Sequence, residues 1–170
     1  MHVLHFFISF VTNISIMKHV FTLDLEWKNN GNEALKNKTF KNHSIQIKNK
    51  EVLNVSAAKA FKGDALLYNP EDLLLSSLAS CHMMSYLYCC QKHNIEVLAY
   101  NDSPEAFLEV LADGSGKIVK AVLKPEITLL NSGDSTLALS LHKEAAKLCF
   151  IANSCNFEIE HQPKIKDTLK

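Results

Sequence analysis

A chain of 170 residues with 47% apolar side chains can bury one real core and not two comfortable ones, so a single domain is expected. Its 18 basic residues balance 18 acidic ones, so no excess charge steers the surface toward nucleic acid or an anionic membrane. All of those basic residues are lysine, and without arginine the chain lacks the planar fork that grips carboxylate or phosphate with two hydrogen bonds.

The first sixteen residues, MHVLHFFISFVTNISI, are apolar but have no early lysine or arginine and no small-x-small cleavage site, which makes a poor signal peptide. They also fall short of the ~20 apolar residues that span a bilayer. Residues 1–16 therefore read as an extension, with Met17 as an alternative start. From His19, Phe21, Leu23, Leu25 and Trp27 alternate with Val20, Thr22, Asp24 and Glu26, the pattern of a half-buried strand. Lys28 to Lys41 reads as a solvated hairpin or loop. Two short strands follow around Ile45–Ile47 and Val52–Val55, then a turn at Phe61-Lys62-Gly63-Asp64.

The segment NPEDLLLSSLASCHMMSYLYCCQKHN opens as a helix should, with Asn69 as cap, Pro70 at the first helical position and Glu71 and Asp72 in the first turn. It is apolar or small nearly all round, so it is expected to be a central helix buried on most sides. Lys92-His93-Asn94 marks its end. Beyond it, Ile95, Val97 and Ala99 alternate; Phe107, Glu109 and Leu111 lead to the hairpin signal Asp113-Gly114-Ser115-Gly116; and Ile118 to Leu130 returns as a long strand that Pro125 interrupts. A second helix is predicted from Asp134-Ser135 through Leu141, Ala145, Cys149 and Ala152, ending by Asn153 to Asn156. Phe157, Ile159 and His161 form a last strand, and residues 164–170 are expected to fray. Without a regular strand-helix-strand alternation, an α+β domain over residues 17–163 follows. So apolar a central helix in one modest domain implies a homodimer.

Five cysteines are an odd number in a chain large enough to fold without staples, which points to an intracellular, cytoplasmic protein. There is no CxxC, and the vicinal Cys89-Cys90 pair lacks zinc-ligand spacing, so no metal site is expected. Cys81 sits inside the central helix among Ala79, Ser80 and His82, where small neighbours leave room beside the sulfur. A thiol attacks only as thiolate, so this cysteine needs a nearby positive charge or donated hydrogen bonds; failing them it is plain packing. Cys149, 68 residues on and two turns after His142, is a second thiol on a second interior helix. Two such cysteines reach disulfide geometry if their Cα atoms come within ~4.4–6.8 Å. A peroxide would then oxidise the first to sulfenic acid, and the second would close the disulfide. His82 and His142 read more readily as buried helix histidines than as catalytic groups, and Cys89, Cys90 and Cys155 read as packing.

YNPEDLLLSSLASCHM from Tyr68, followed by LHKEAAKLCFIANS at Leu141–Ser154, resembles the OsmC/Ohr family of hydroperoxide reductases. The resemblance covers Met17 to about Pro163 and implies that Cys81 is the peroxidatic cysteine, Cys149 the resolving one and Glu71 the active-site glutamate. It implies an antiparallel sheet wrapped around two central helices in an intertwined homodimer, and organic hydroperoxides reduced by a dithiol or lipoyl-type thiol, without flavin, haem or metal. Glu71 and Cys81 are ten residues apart, ~15 Å along a straight helix, so Glu71 would act across the dimer. The family's activating arginine has no counterpart here. Lys62, standing where related sequences carry arginine, and His82 are the candidate activating groups. The alternative is a non-catalytic member of the same fold that binds an apolar ligand or senses redox state.

Overall fold

The computed structural model describes residues 17–29 and 38–166; the extension 1–16, part of the predicted loop before Lys41, and residues 167–170 lie outside them. Three strands open the chain, β1 (Asp24–Glu26), β2 (His43–Gln46) and β3 (Leu53–Val55), joined antiparallel in that order. The strand predicted from His19 to Trp27 is thus only three residues long, and its expected buried side is open: Phe21 is 93% exposed. Among the described residues β1 has β2 along one edge and nothing covering its faces, so alternation alone does not bury the apolar side chains.

Short turns carry β3 into the first helix. Lys62 adopts a left-handed backbone (φ 61°), and a Cβ at Gly63 would stand 1.7 Å from the Ala57 carbonyl oxygen, so only glycine lets the two backbones pass. Helix α1 (Pro70–Lys92) starts at the predicted cap. Asn69 Oδ1 accepts the Asp72 N–H at 2.8 Å, and the Asp72 carboxylate takes the Asn69 amide in return. Asn69→Ala is expected to cost about 1 kcal/mol, lowering the melting temperature by about 2–4 °C in a thermal scan. At the other end Asn94 takes the left-handed conformation (φ 55°) that stops the helix.

One stripe of α1 is buried, Leu78, His82, Tyr86, Cys89 and Cys90 at helical spacing, while Met84, Leu87 and Tyr88 are exposed. The expectation of a helix buried on most sides therefore fails within one chain. α1 has the length and apolarity of a membrane span. Its buried stripe, however, packs on Ala138, Leu141 and Ala145 of α2 (Ser135–Leu148).

The remaining strands are β4 (Val97–Asn101), β5 (Glu105–Val110), β6 (Gly116–Leu123), β7 (Glu126–Leu129), β8 (Glu158–His161) and β9 (Lys164–Lys166), in two further sheets ordered β4-β7-β9 and β5-β6-β8. Pro125 divides the long predicted return strand in two, and the halves serve different sheets because proline cannot donate to a ladder. The chain after α2 follows the same bend at Pro163: Gln162 N–H donates to Leu123 O and Lys164 N–H to Pro125 O, each at 2.8 Å. β8 and β9 therefore run parallel to β6 and β7 through the α2 crossover. This corrects two expectations. The β4-β7-β9 and β5-β6-β8 sheets are mixed rather than antiparallel, and Lys164–Lys166, expected to fray, is a paired strand.

Candidate active site

α2 does not run on through Ala152 as predicted. It ends at Leu148; Cys149 is extended (φ −75°, ψ 102°), and a one-turn helix, α3 (Phe150–Ser154), follows. The break turns the Cys149 side chain to cap α3, its Sγ accepting the Ala152 N–H at 3.4 Å. Cys149 is fully buried beside Leu78, Ala121 and Leu123, and Cys81 packs against the same cluster from α1.

All five cysteines are free thiols, and the Cys149 and Cys81 side chains are close enough to interact. Burial pushes the Cys149 thiol up to about 11, the neighbouring Cys81 sulfur pushes the same way, and the N–H groups of Ala152 and Ile151 pull against both. At neutral pH Cys149 therefore keeps its proton. Cys81 is only partly buried and forms part of the wall of an apolar cavity of about 310 Å³, shared with Met84, Ser85, Tyr88, Leu148 and Phe150. The arrangement can hold an apolar molecule against one sulfur while a second thiol waits behind it. The cavity's apolar walls were not singled out in the sequence, where Met84 and Tyr88 looked like core.

The other expected groups are elsewhere. α1 is one continuous helix, so Glu71 stays about 15 Å along it from Cys81. Its Oε2 is buried with no hydrogen-bond partner among the described residues. Lys62 is exposed, and among the described residues no hydrogen bond or ion pair links it to Cys81 or Glu71. His82, adjacent in sequence, points away from the sulfur into the core, as the ~100° step between helical neighbours requires. There its Nε2 meets His142 Nδ1 at 3.0 Å, and its ring lies 4.2 Å from that of His161 on β8. Tyr86 stacks on His142 with ring centroids 4.0 Å apart. Burial lowers His82 to about 3, with the two other histidines adding to the effect, and lowers His142 to about 4. Both are neutral at pH 7, so His82 offers Cys81 no positive charge. No group of three or more His, Cys, Asp or Glu side chains among the described residues is arranged to hold a metal ion. His161 was legible only as a strand residue; nothing in its spacing pointed to the other two imidazoles.

The family model for OsmC-like proteins matches residues 63–164, from the glycine before α1 through β9's first residue. The chain belongs to the OsmC-like family. Among curated proteins, none matches it. Solved structures give the same fold. An OsmC-like protein of unknown function from Vibrio cholerae superposes with a TM-score of 0.76 at 24% identity, covering 86% of this chain and 99% of that one. An organic hydroperoxide resistance protein OsmC from Legionella pneumophila gives 0.64 at 17%, covering 88% and 99%. The organic hydroperoxide resistance protein OhrB of Bacillus subtilis gives 0.56 at 17%, covering 86% and 98%. At such identities the likeness is one of fold. This OsmC-like chain places its thiol pair within the matched segment, since Cys81 and Cys149 both lie between residues 63 and 164.

Proposed function

We propose that this OsmC-like protein is a thiol-dependent peroxidase that reduces organic hydroperoxides, with Cys81 as nucleophile and Cys149 as resolving thiol. The observation that carries the reading is the Cys149 thiol, kept protonated by burial and packed beside Cys81, whose own thiol borders an apolar cavity. The Cys81 thiolate attacks the distal peroxide oxygen, the O–O bond breaks, and the alkoxide leaves to be protonated as alcohol. The sulfenic acid at Cys81 is then attacked by Cys149, water leaves, and a disulfide forms. An external dithiol, itself oxidised to a disulfide, restores both thiols.

The working unit in this reading is a homodimer. Exposed apolar side chains that one chain cannot cover, from Phe21 and Trp27 beside β1 to Met84 and Tyr88 on α1, supply an interface. A partner subunit would also bring a donor to the orphaned Glu71 Oε2 and place that carboxylate near the partner's sulfur, out of reach along its own helix. With His82 neutral, the role of activating cation falls to Lys62, which has the charge without the arginine fork.

Turnover tests the reading. With dithiothreitol as reductant, the protein is expected to consume many equivalents of cumene hydroperoxide per chain, and to act more slowly on hydrogen peroxide, which gains nothing from apolar walls. Consumption no faster than dithiothreitol alone would overturn it. That outcome would favour the second reading, a binding module for apolar ligands or a one-shot redox sensor, to which the absence of arginine and the apolar cavity also point.

A further inference from the structure

The contact between α1 and α2 is built largely from apolar and small side chains, Tyr86, Cys89 and Cys90 against Ala138, Leu141 and Ala145. The hydrophobic attraction is non-directional, and small side chains such as alanine offer shallow ridges, so a directional polar contact adds to shape in fixing where one helix stops along the other. Among the described residues, a single buried hydrogen bond between side chains crosses this interface, that between His82 Nε2 and His142 Nδ1 at 3.0 Å; the ion pairs of Lys92 and His93 with Glu144 cross it at its solvent-exposed end. Hydrogen bonds weaken steeply with distance and misalignment, and a slip here would strand two imidazole nitrogens in an apolar core. A buried polar pair in an apolar helix seam is a register device for that reason.

We propose that His82 and His142 are positioning residues whose buried hydrogen bond sets the register of α1 on α2 and so holds Cys149 against Cys81 for disulfide closure. The proposal rests on Cys81 and Cys149 being the reacting pair. His82 follows Cys81 directly, so whatever fixes one fixes the backbone of the other. His142 sits on the same rigid helix that ends one residue before Cys149. The bond is itself clamped, by His161 of β8 against the His82 ring and by Tyr86 against the His142 ring, with centroids 4.2 and 4.0 Å apart. A slip of one residue moves a helix by ~1.5 Å, a large error against a disulfide bond of ~2.05 Å.

The atoms that meet differ at the two positions, and this supplies the test. At His142 the bonding atom is Nδ1, whose place an asparagine amide fills and a glutamine amide overshoots. At His82 it is Nε2, which glutamine reaches and asparagine does not. The four variants His142→Asn, His142→Gln, His82→Gln and His82→Asn are equilibrated in glutathione redox buffers at pH 7.5. In closing the pair, one glutathione disulfide takes two electrons from the thiols and leaves as two glutathione molecules, with the protons balanced between them. Quantifying oxidised and reduced protein gives the effective concentration of Cys149 at Cys81 without any peroxide. We expect a crossed pattern: His142→Asn and His82→Gln within about threefold of the parent, His142→Gln and His82→Asn lower by about tenfold, the worth of one buried hydrogen bond. A loss of packing or polarity alone would rank asparagine and glutamine alike at both positions. An equilibrium indifferent to all four variants, or the same ranking at both sites, overturns the proposal. Because no hydroperoxide enters the measurement, a crossed pattern in a protein that fails the cumene hydroperoxide assay would sink the peroxidase reading and leave the positioning role standing.

Discussion

Cys81→Ser is expected to abolish peroxide turnover, by more than about 10³-fold, because it removes the atom that bonds to oxygen. Cys149→Ser should behave differently. Its first step survives, since Cys81 still faces the apolar cavity, but the sulfenic acid then has no buried thiol to close on. Under excess cumene hydroperoxide the Cys149→Ser protein should accumulate the doubly and triply oxygenated forms of Cys81, read by intact-mass spectrometry, while the parent collects the disulfide. With abundant small thiol it should regain partial turnover as the external thiol substitutes for Cys149. The asymmetry follows from the pair's environment: burial holds the Cys149 proton on up to about 11, while Cys81 borders the cavity. If Cys81→Ser retained turnover and Cys149→Ser lost it, the roles would have to be exchanged.

The fold itself should be acid-labile, with the loss of stability beginning well above the range in which most carboxylates titrate. His82 and His142 are held neutral by burial, with folded values of about 3 and about 4, whereas in the unfolded chain each takes a proton near 6.5. Below pH 6.5 the unfolded chain therefore binds protons that the folded one refuses. Stability is complete above that pH and is lost as pH falls through 6.5 toward 4. Each such histidine tilts the balance by up to about 1.4 kcal/mol per pH unit. His161 is lowered in the same sense by burial and contributes less, being partly exposed. Asp102 works oppositely, since burial raises its carboxyl and its protonation favours the folded state as pH falls. One carboxyl offsets only part of three imidazoles. The urea midpoint should therefore drop steeply from pH 7.5 to pH 5, and His142→Asn, which removes one of the two deeply buried imidazoles, should reduce that slope by roughly half. Equal midpoints at pH 7.5 and pH 5 would mean that the histidines are charged, or already titrated, in the folded protein.

Much of the local architecture was legible from residue order. Asn69-Pro70-Glu71-Asp72 announces the start of α1 because capping and the helix dipole act within one turn, and Asn94 announces its end for the same reason. Cys81 and Cys149 could be named as a candidate pair because both stand in apolar helical surroundings. Their contact could not be derived, since 68 residues separate them and the break that frees Cys149 from α2 satisfies a helix cap that no periodicity signals. Pro125 could be seen to interrupt a strand, yet not to send its halves into two sheets, nor to recruit Lys164–Lys166 as a partner. His161 showed only the alternation of a strand. Its ring meets that of His82, centroids 4.2 Å apart, only through the tertiary placement of β8.

By itself, then, the sequence determined what neighbouring residues impose on one another: caps, turns, the apolar composition of α1, the supply of thiols and the absence of arginine. The tertiary structure decided which distant groups share an environment. It put Cys149 behind Cys81, left His82 uncharged among imidazoles and kept Glu71 a helix length away. The reason is physical: charge state and reactivity depend on what desolvates and contacts a group from every side, and in a mixed sheet with crossover helices most of those contacts come from far along the chain.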